Sequence, residues 1–537
     1  NQVLNLSPFE VKFAENRAFF TEGTELFSKG NLFYSRRIGA TPLHYYDVEG
    51  KMAINERIVK NPQESKLINA TKISGRTKGG LGVGFFNAIT KPMYALVEDD
   101  TKKSREIQTA PLTNYNILVF DQTLKNNSSV SFINTNVMRN GSDYDANVSS
   151  ALFNINNKKN TYMVDGNVSV SAISREKGKA ETGYAHTVTA GKVGGNLMFQ
   201  LSQELYDDKY DKNDMGIMFN NNYLDHYLWI GYRWLKPGKW YNSMGLNYNN
   251  NFSRLFKKFD NQKVNTYFQT YNTNVNGNVQ LKNLWYIGML ASYAAESNDF
   301  YEPRERGWSY RAPQSIRFNI WTESNSAKKY KINLSYTYSS QNLLNGKSFE
   351  YAYFQRYRFS DKFSLSQSLT YSPAFNNVGF YDKVYSNGSG PLQDIVFSRR
   401  NRNTVENLLT AKYNFNNKSG ISLRARHYWS RVTQKELYDL QTSGDLQPTK
   451  YTNMALEHQN FNAFTVDAVY TLQFAPGSFV NLVWKDAIFA FDESIQYRYF
   501  KNFNETIGAP QNNNLSIKII YFLDYLDLKK KRKADKL

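Results

Sequence analysis

The sequence contains no cysteine, which excludes several classes of protein. A disulfide-stabilised secreted scaffold and a thiolate metal site both require cysteine side chains. A cysteine-free chain is compatible with the bacterial cell envelope. The absence therefore excludes types of chemistry without assigning a compartment.

Long apolar runs are missing as well. The longest gently apolar stretch covers residues 286–295, about half of what a membrane-spanning helix needs. The chain opens at Asn1 and Gln2 without the basic and apolar segments of an export signal. An exported protein needs such a signal, so we expect that one preceded residue 1.

The sequence contains no catalytic or metal-binding spacing that we recognise. The glycine-rich residues 79–84 lack the Gly-Lys-Ser/Thr ending of a phosphate loop, so we interpret them as strong curvature or the close approach of a plug. No catalytic residue, metal site or bound cofactor is predicted. The histidines, whose spacing fits no metal site, are His44, His186, His226, His427 and His458.

Positive charge exceeds negative charge, with a formal net charge of +19. Nucleic acid is the default partner of a basic chain, but no helix-based reader or RNP-like motif is visible. The basic residues alternate with apolar ones, apart from a dense block at residues 529–533. We therefore predict no nucleic-acid partner and expect contacts with outer-membrane lipids and anionic lipopolysaccharide.

Aromatic side chains are abundant, at 15% of a chain whose mean hydropathy is −0.60. Alternation with a period of two residues runs from about residue 66 to residue 525. Within residues 331–339, for example, Ile332, Leu334 and Tyr336 share one strand face and polar residues share the other. Strands with one wet and one lipid-facing side accommodate such a composition.

The connectors differ in length in a regular way. Short ones are predicted at 236–238, 359–361, 416–420 and 475–478. Long ones are predicted near 90–111, 204–224, 296–312, 373–401, 431–459 and 487–512. The pattern predicts an all-β fold: a transmembrane antiparallel β-barrel of the bacterial outer membrane, with short periplasmic turns and long extracellular loops. We expect about 22 strands, in a range of about 20–24, if one further strand precedes residue 66.

Three regions are expected: a non-barrel block at 1–62, the barrel at 63–526 and a basic periplasmic tail at 527–537. The block interleaves charged and aromatic residues and is predicted to be a plug, a latch or part of the periplasmic mouth. Confined carboxylates and guanidinium groups form strong bidentate pairs, so we expect a charge network there. Its candidate members are Glu15, Arg17, Glu22, Arg36 and Arg37.

Two predicted external loops contain candidate binding residues. The acidic loop 207–214 offers oxygen ligands for calcium, but its spacing is not that of an EF-hand, and a solvated loop is the favoured interpretation. The aromatic loop 300–310 either stacks sugar rings or folds against neighbouring loops. Its candidate contact residues are Tyr301, Arg304, Trp308 and Tyr310.

Several strings carry a family resemblance, densest within residues 5–220. They are residues 15–23 (ENRAFFTEG), 33–39 (FYSRRIG), 70–76, 114–115, 124–129 and 214–216. On these strings the chain resembles the DUF5916 family. The resemblance implies an outer-membrane β-barrel region common in Bacteroidota, usually following a family 9-like carbohydrate-binding module that this chain lacks. It also suggests glycan-related solutes.

These observations favour a plugged channel or transport-related barrel. The alternative is a structural or accessory subunit of a larger outer-membrane complex for secretion, assembly or uptake, in contact with other envelope proteins. A TonB-dependent importer is less favoured, because the block is too short for a full plug domain and no coupling box is present. An enzyme is less favoured because no motif specifies catalysis.

Overall fold

Antiparallel strands make up most of the chain. The computed structural model describes residues 3–15, 17–21, 23–176 and 179–522. The strands are β1 (Glu56–Lys60), β2 (Leu67–Arg76), β3 (Leu81–Thr90), β4 (Met93–Asp99), β5 (Ser104–Ala110), β6 (Thr113–Thr123), β7 (Ser129–Arg139), β8 (Asp145–Asn156), β9 (Tyr162–Glu176), β10 (Lys179–Lys192), β11 (Leu197–Tyr206), β12 (Tyr223–Trp234), β13 (Tyr241–Leu255), β14 (Phe268–Leu281), β15 (Tyr286–Ala294), β16 (Ser297–Asp299), β17 (Tyr310–Ala312), β18 (Ser315–Glu323), β19 (Tyr330–Gln341), β20 (Lys347–Arg358), β21 (Phe363–Tyr385), β22 (Leu392–Asn414), β23 (Ser419–Leu440), β24 (Leu446–Pro448), β25 (Gln459–Ala475), β26 (Ser478–Asp492) and β27 (Asn512–Ile520).

Helices are few and short in the described part of the chain. The α-helices there are α1 (Ala18–Thr21) and α2 (Tyr499–Ile507). Short 3-10 helices occur at Lys29–Asn31, Ser35–Arg37, Tyr45–Asp47, Glu49–Lys51, Leu343–Asn345 and Ser386–Gly388. Within the described ranges, no helix combines the length and apolar character needed to cross a membrane.

The described residues form two compact units. The N-terminal unit contains residues 7–232 and 248–271, and the C-terminal unit contains residues 3–6, 233–247 and 272–522. In all, 22 strands belong to the antiparallel sheet. The prediction of an all-β fold with about 22 strands is therefore confirmed.

In the N-terminal unit, strands β2, β3 and β6–β12 pair antiparallel in chain order. A strand does precede residue 66, but β1 pairs with β4, which pairs with β5 in a separate three-stranded sheet. The expectation that this strand would extend the main sheet is wrong. The reason is that the β4–β5 hairpin, within the predicted long loop 90–111, offers β1 an edge to pair with.

Apolar side chains cover both faces of the N-terminal unit's sheet, with opposite exposure. On β6, Ile117 and Val119 are fully buried, while the side chains between and after them, Leu118 and Phe120, are 37% and 41% exposed. We call the face of Leu118 and Phe120 the outer face and the face of Ile117 the inner face. Large exposed apolar faces of this kind mark contact surfaces.

In the C-terminal unit, strands β14, β15, β18–β23 and β25–β27 also pair antiparallel in chain order. The predicted face of β19 is confirmed, since Leu334 and Tyr336 are exposed apolar residues that alternate with Ser335 and Thr337. Here too the exposed apolar side defines the outer face and the polar side the inner face. Three short strands lie outside this order: β16 and β17 pair with each other in a separate sheet, and β24, which the count of 22 includes, pairs with the end of β23.

Three strands are much longer than predicted. β21 and β22 have 23 residues each and β23 has 22. They replace most of the long loop predicted at 373–401 and the first part of the one predicted at 431–459. The ladder between β21 and β22 continues because β-bulges, such as the shift between Ala374 and Asn377, absorb its irregularities. The predicted short connectors at 236–238, 359–361, 416–420 and 475–478 lie between or at the ends of successive strands, as expected.

Candidate functional site

Residues 7–39 fold against the inner face of the N-terminal unit. Their aromatic side chains surround Phe86 of β3: the ring centroids of Phe19, Phe20, Phe27 and Phe33 lie 6.2, 6.1, 6.1 and 5.4 Å from it. Leu26, Leu32 and Ile38 are buried in the same cluster. Aromatic pairs at such distances add packing energy to area burial, so this segment is fixed to the sheet.

Two glycines of β3 make this close approach possible. A Cβ at Gly84 would lie 3.2 Å from ring atoms of Phe27, and a Cβ at Gly82 would lie 3.1 Å from Leu26 Cδ2. A side chain at either position would require Phe27 or Leu26 to shift by a few tenths of an ångström. The interpretation of the 79–84 glycines as a site of close approach is thereby confirmed.

Glu15 and Arg17 form the centre of a hydrogen-bond network. Arg17 Nη2 donates to Glu15 Oε2 at 2.8 Å, and its Nη1 donates to the carbonyl of Ile38 at 2.8 Å. Ser35 Oγ donates to Glu15 Oε2 at 2.6 Å. Burial alone would raise the pKa of Glu15, but the hydrogen bonds from Arg17 and Ser35 lower it to about 2. The carboxylate is therefore charged at neutral pH and holds residues 15–38 together.

Arg37 bonds the same segment to the loop between β11 and β12, whereas Arg36 bonds to another residue of the segment itself. Arg37 pairs with Glu10 at 2.7 Å, and its Nε donates to the carbonyl of Gly216 at 2.9 Å. Arg36 pairs with no carboxylate among the described residues and donates to the carbonyl of Ala14 at 2.8 Å. The structure thus gathers Glu15, Arg17, Arg36 and Arg37 in one segment; Glu22 lies outside the described residues, as does the basic tail.

A second charge cluster, around Asp121 of β6, was not singled out from the sequence. Lys29 Nζ lies 2.6 Å from one carboxylate oxygen, and Arg76 Nη2 lies 2.5 Å from the other. Ser131 Oγ donates to Asp121 at 2.6 Å, and Asp121 is only 2% exposed. The available signal is that Asp121 follows Ile117 and Val119 on one apolar face. A carboxylate there needs partners.

The carboxylates of the acidic loop 207–214 bond to different partners. Asp214 pairs with Arg139, Asp208 pairs with Lys257, and Asp207 accepts the backbone N–H groups of Lys209 and Tyr210. No group of three possible metal ligands occurs within the residues that the structure describes. The carboxylates therefore fix the loop to its surroundings.

The aromatic loop of the C-terminal unit is folded inward. Tyr310 is buried in a cluster with Ile395, Phe397 and Leu440, and Trp308 packs against that cluster. The Tyr310 and Phe397 rings are 4.9 Å apart. The backbone N–H of Tyr301 donates to Asp299 Oδ1 at 2.8 Å. Trp308 and Tyr310 therefore fold against β22 and β23, which replace much of the neighbouring loops predicted at 373–401 and 431–459.

Arg304 lies apart from those aromatics and lines a cavity of about 390 Å³ in the C-terminal unit. Its guanidinium lies 4.4 Å from the centroid of Phe380. Buried Arg400 also lines the cavity and donates to the carbonyl of Phe380 at 3.2 Å. Burial raises the pKa of nearby Glu302, which accepts the Phe380 N–H. The side chains here come from stretches that the sequence places in loops.

Comparison with solved structures gives 13 matching chains. One of them, the FrpB iron transporter from Neisseria meningitidis (F3-3 variant), aligns with a TM-score of 0.43 and 12% sequence identity, over 78% of this chain and 74% of that chain. No curated protein matches the sequence. The profile of DUF5916, described as a domain of unknown function, matches residues 1–532. The chain therefore belongs to the DUF5916 family, as its sequence strings predict.

Proposed function

We propose that this chain is a transport-related β-barrel of the bacterial outer membrane, closed around a lumen that its N-terminal block plugs. The outer face contacts lipid and lipopolysaccharide, the long connections are extracellular and the basic tail at 527–537 is periplasmic. Glycan-related solutes are the cargo class that the family resemblance suggests.

The observation that carries the proposal is that the charged residues of a strand occupy only one of its two faces. Over β15, β18 and β19 the outer face is uncharged and exposes large apolar side chains, among them Met289, Phe318 and Leu334. The charged residues of the same strands, Arg317, Glu323 and Lys331, all fall on the inner face. Charge on a lipid-facing strand costs about 2–4 kcal/mol at mid-membrane, which accounts for the separation.

A row of asparagines also crosses the outer face at one level of the sheet. In four neighbouring strands of the N-terminal unit, Asn87, Asn116, Asn136 and Asn147 stand directly opposite one another. Apolar residues such as Phe120 occupy the part of each strand nearer the short turns. We place the hydrocarbon boundary at this asparagine row, because amides are poorly solvated by lipid.

The packing of the described part of residues 7–39 supports the proposed plug. Their apolar side chains fill the inner face, and the Lys29–Asp121 pair anchors them to β6. Such a segment must move or deform before a solute can pass along this face. Transport would therefore depend on release of the segment.

An engineered disulfide tests this dependence, because the native chain contains no cysteine. A Cβ built at Gly84 lies 3.4 Å from Leu26 Cβ, close to the separation of about 3.5–4.5 Å found in disulfides. Leu26→Cys with Gly84→Cys should lock the segment to β3. Asn136→Cys with Asn147→Cys is the matched control, since it joins two neighbouring strands and leaves the segment alone.

Conductance in planar bilayers is measured for both variants, oxidised and then reduced. We expect the oxidised Leu26–Gly84 lock to be closed and to conduct after reduction, while the control conducts equally in both states. Equal conduction in all states would show that the segment gates nothing. A protein that conducts in no state and purifies with envelope partners would favour the accessory-subunit function instead.

A further inference from the structure

The inner face of the C-terminal unit is rich in basic side chains. We follow the strand register from β18 to β27, taking β21 up to Ala374, β22 from Arg402 and β23 up to Val432, where β-bulges interrupt the ladders. Within these limits, inner-face positions alternate with the exposed apolar ones. The basic residues at these positions are Arg317, Lys331, Arg356, Arg358, Arg402, Lys412, Arg424, Arg426, Lys485 and Lys518.

Acidic residues at the inner-face positions of the same strands are fewer: Glu323, Glu350, Glu406 and Asp467. Three of them form ion pairs with basic residues of the same face. Glu323 pairs with Lys331, Glu406 with Arg426 at 2.6 Å and Asp467 with Lys485 at 3.9 Å. The acidic residues therefore leave most of the basic ones unneutralised.

Some of the remaining guanidinium groups serve the fold. Arg356 donates to the carbonyl of Ser326 at 2.8 Å, and Arg358 donates to the carbonyl of Ala327, both in the turn between β18 and β19. Arg317, Lys412 and Arg424 are different: they are exposed and form no ion pair among the described residues. The fold does not require their charge, so their common sign calls for another explanation.

We propose that this basic inner face makes the path selective for anions, so that the transported solutes carry carboxylate or other acidic groups. The inference rests on the proposed transport function and names its substrate class. A confined wall of one charge sign raises the local concentration of the opposite ion by a factor of about 10 to 1,000. Guanidinium groups also match the planar geometry of carboxylates.

Ion selectivity tests the proposal directly. Reversal potentials are measured across a KCl gradient, using the reduced Leu26→Cys/Gly84→Cys protein. We expect chloride to be preferred over potassium about tenfold. Arg317→Glu, Lys412→Glu and Arg424→Glu combined should abolish or invert that preference. Lys418→Glu changes a turn lysine outside the inner face and should leave the preference unchanged.

A binding measurement keeps the inference separate from conduction. Calorimetric titration of the detergent-solubilised protein with citrate should show salt-sensitive binding that the triple variant loses and the Lys418→Glu variant retains. Sucrose, a neutral probe, should not compete. Current without anion preference would overturn the inference and leave the transport function standing. Citrate binding without current would overturn transport and leave the anion-binding wall.

Discussion

Arg139 and Asp214 form an almost completely buried ion pair in the N-terminal unit. Their charged atoms are 2.5 Å apart, and their side chains are 8% and 10% exposed. Arg139 ends β7, and Asp214 lies in the loop whose Met215 carbonyl accepts the N–H of Tyr34. The pair therefore connects the wall of the sheet, through one loop, to the N-terminal segment.

Breaking this pair should destabilise the unit strongly. Arg139→Met leaves a buried carboxylate without its partner, and we expect a loss of about 3–5 kcal/mol in unfolding free energy. Adding Asp214→Asn removes the stranded charge and should recover a large part of that loss. Thermal unfolding followed by tryptophan fluorescence measures both; equal losses in the single and double variants would contradict a coupled pair.

Acid should loosen the N-terminal segment through Glu15. The pKa of Glu15 is lowered from 4.5 to about 2 in the folded protein, so its charge stabilises the segment fully above about pH 4.5. That contribution is lost as the pH falls from about 4.5 toward 2. Hydrogen exchange of residues 13–38 should rise over this window.

Glu15→Gln isolates the contribution of this carboxylate from those of other acids. The variant should show faster exchange at neutral pH and a smaller further change on acidification. An unaltered pH profile in Glu15→Gln would mean that another carboxylate controls the loosening.

The lipid boundary predicts that two outer-face substitutions on one strand lower stability by different amounts. Phe120→Arg places a cation in the proposed hydrocarbon band and should cost about 2–4 kcal/mol, whereas Asn116→Arg at the boundary should cost about 0–1 kcal/mol. Folding into lipid vesicles, monitored by electrophoretic mobility, measures both. Similar yields for the two variants would place this face outside the membrane.

The Asp121 anchor should control how often the N-terminal segment opens. Asp121→Asn leaves Lys29 without a carboxylate and leaves Arg76 only Glu25, 3.7 Å away, which should weaken attachment by about 1–3 kcal/mol and raise open probability roughly 5- to 150-fold. Single-channel recording provides the measurement. Asp260→Asn, which neutralises an exposed loop carboxylate, is the control, and identical gating in both variants would exclude Asp121 as the anchor.

Several features could be predicted because they depend on local pattern. Alternation along residues 331–339 fixes which side chains share a face of β19, whatever the strand pairs with. Turn residues such as 416–420 mark hairpin ends for similarly local reasons. The glycines at 82 and 84 signalled a close approach, since a Cβ there would lie only 3.1–3.2 Å from Leu26 and Phe27.

Other features required long-range contacts. β1 looks like a strand of the main sheet, but the β4–β5 hairpin offered it a different edge. The predicted loop at 373–401 became paired strand, because strand partners outweigh the local turn propensity of its polar residues. The aromatic loop 300–310 could not be assigned from sequence, since burial of Tyr310 depends on Phe397 far along the chain.

The sequence by itself determined the two-residue period, the separation of charge from apolar surface and hence the all-β fold with about 22 strands. The tertiary structure alone decided that Lys29 meets Asp121 and that Arg139 meets Asp214. Alternation depends only on the backbone's own geometry, whereas the partner of a buried charge depends on which distant segments the fold brings within a few ångströms.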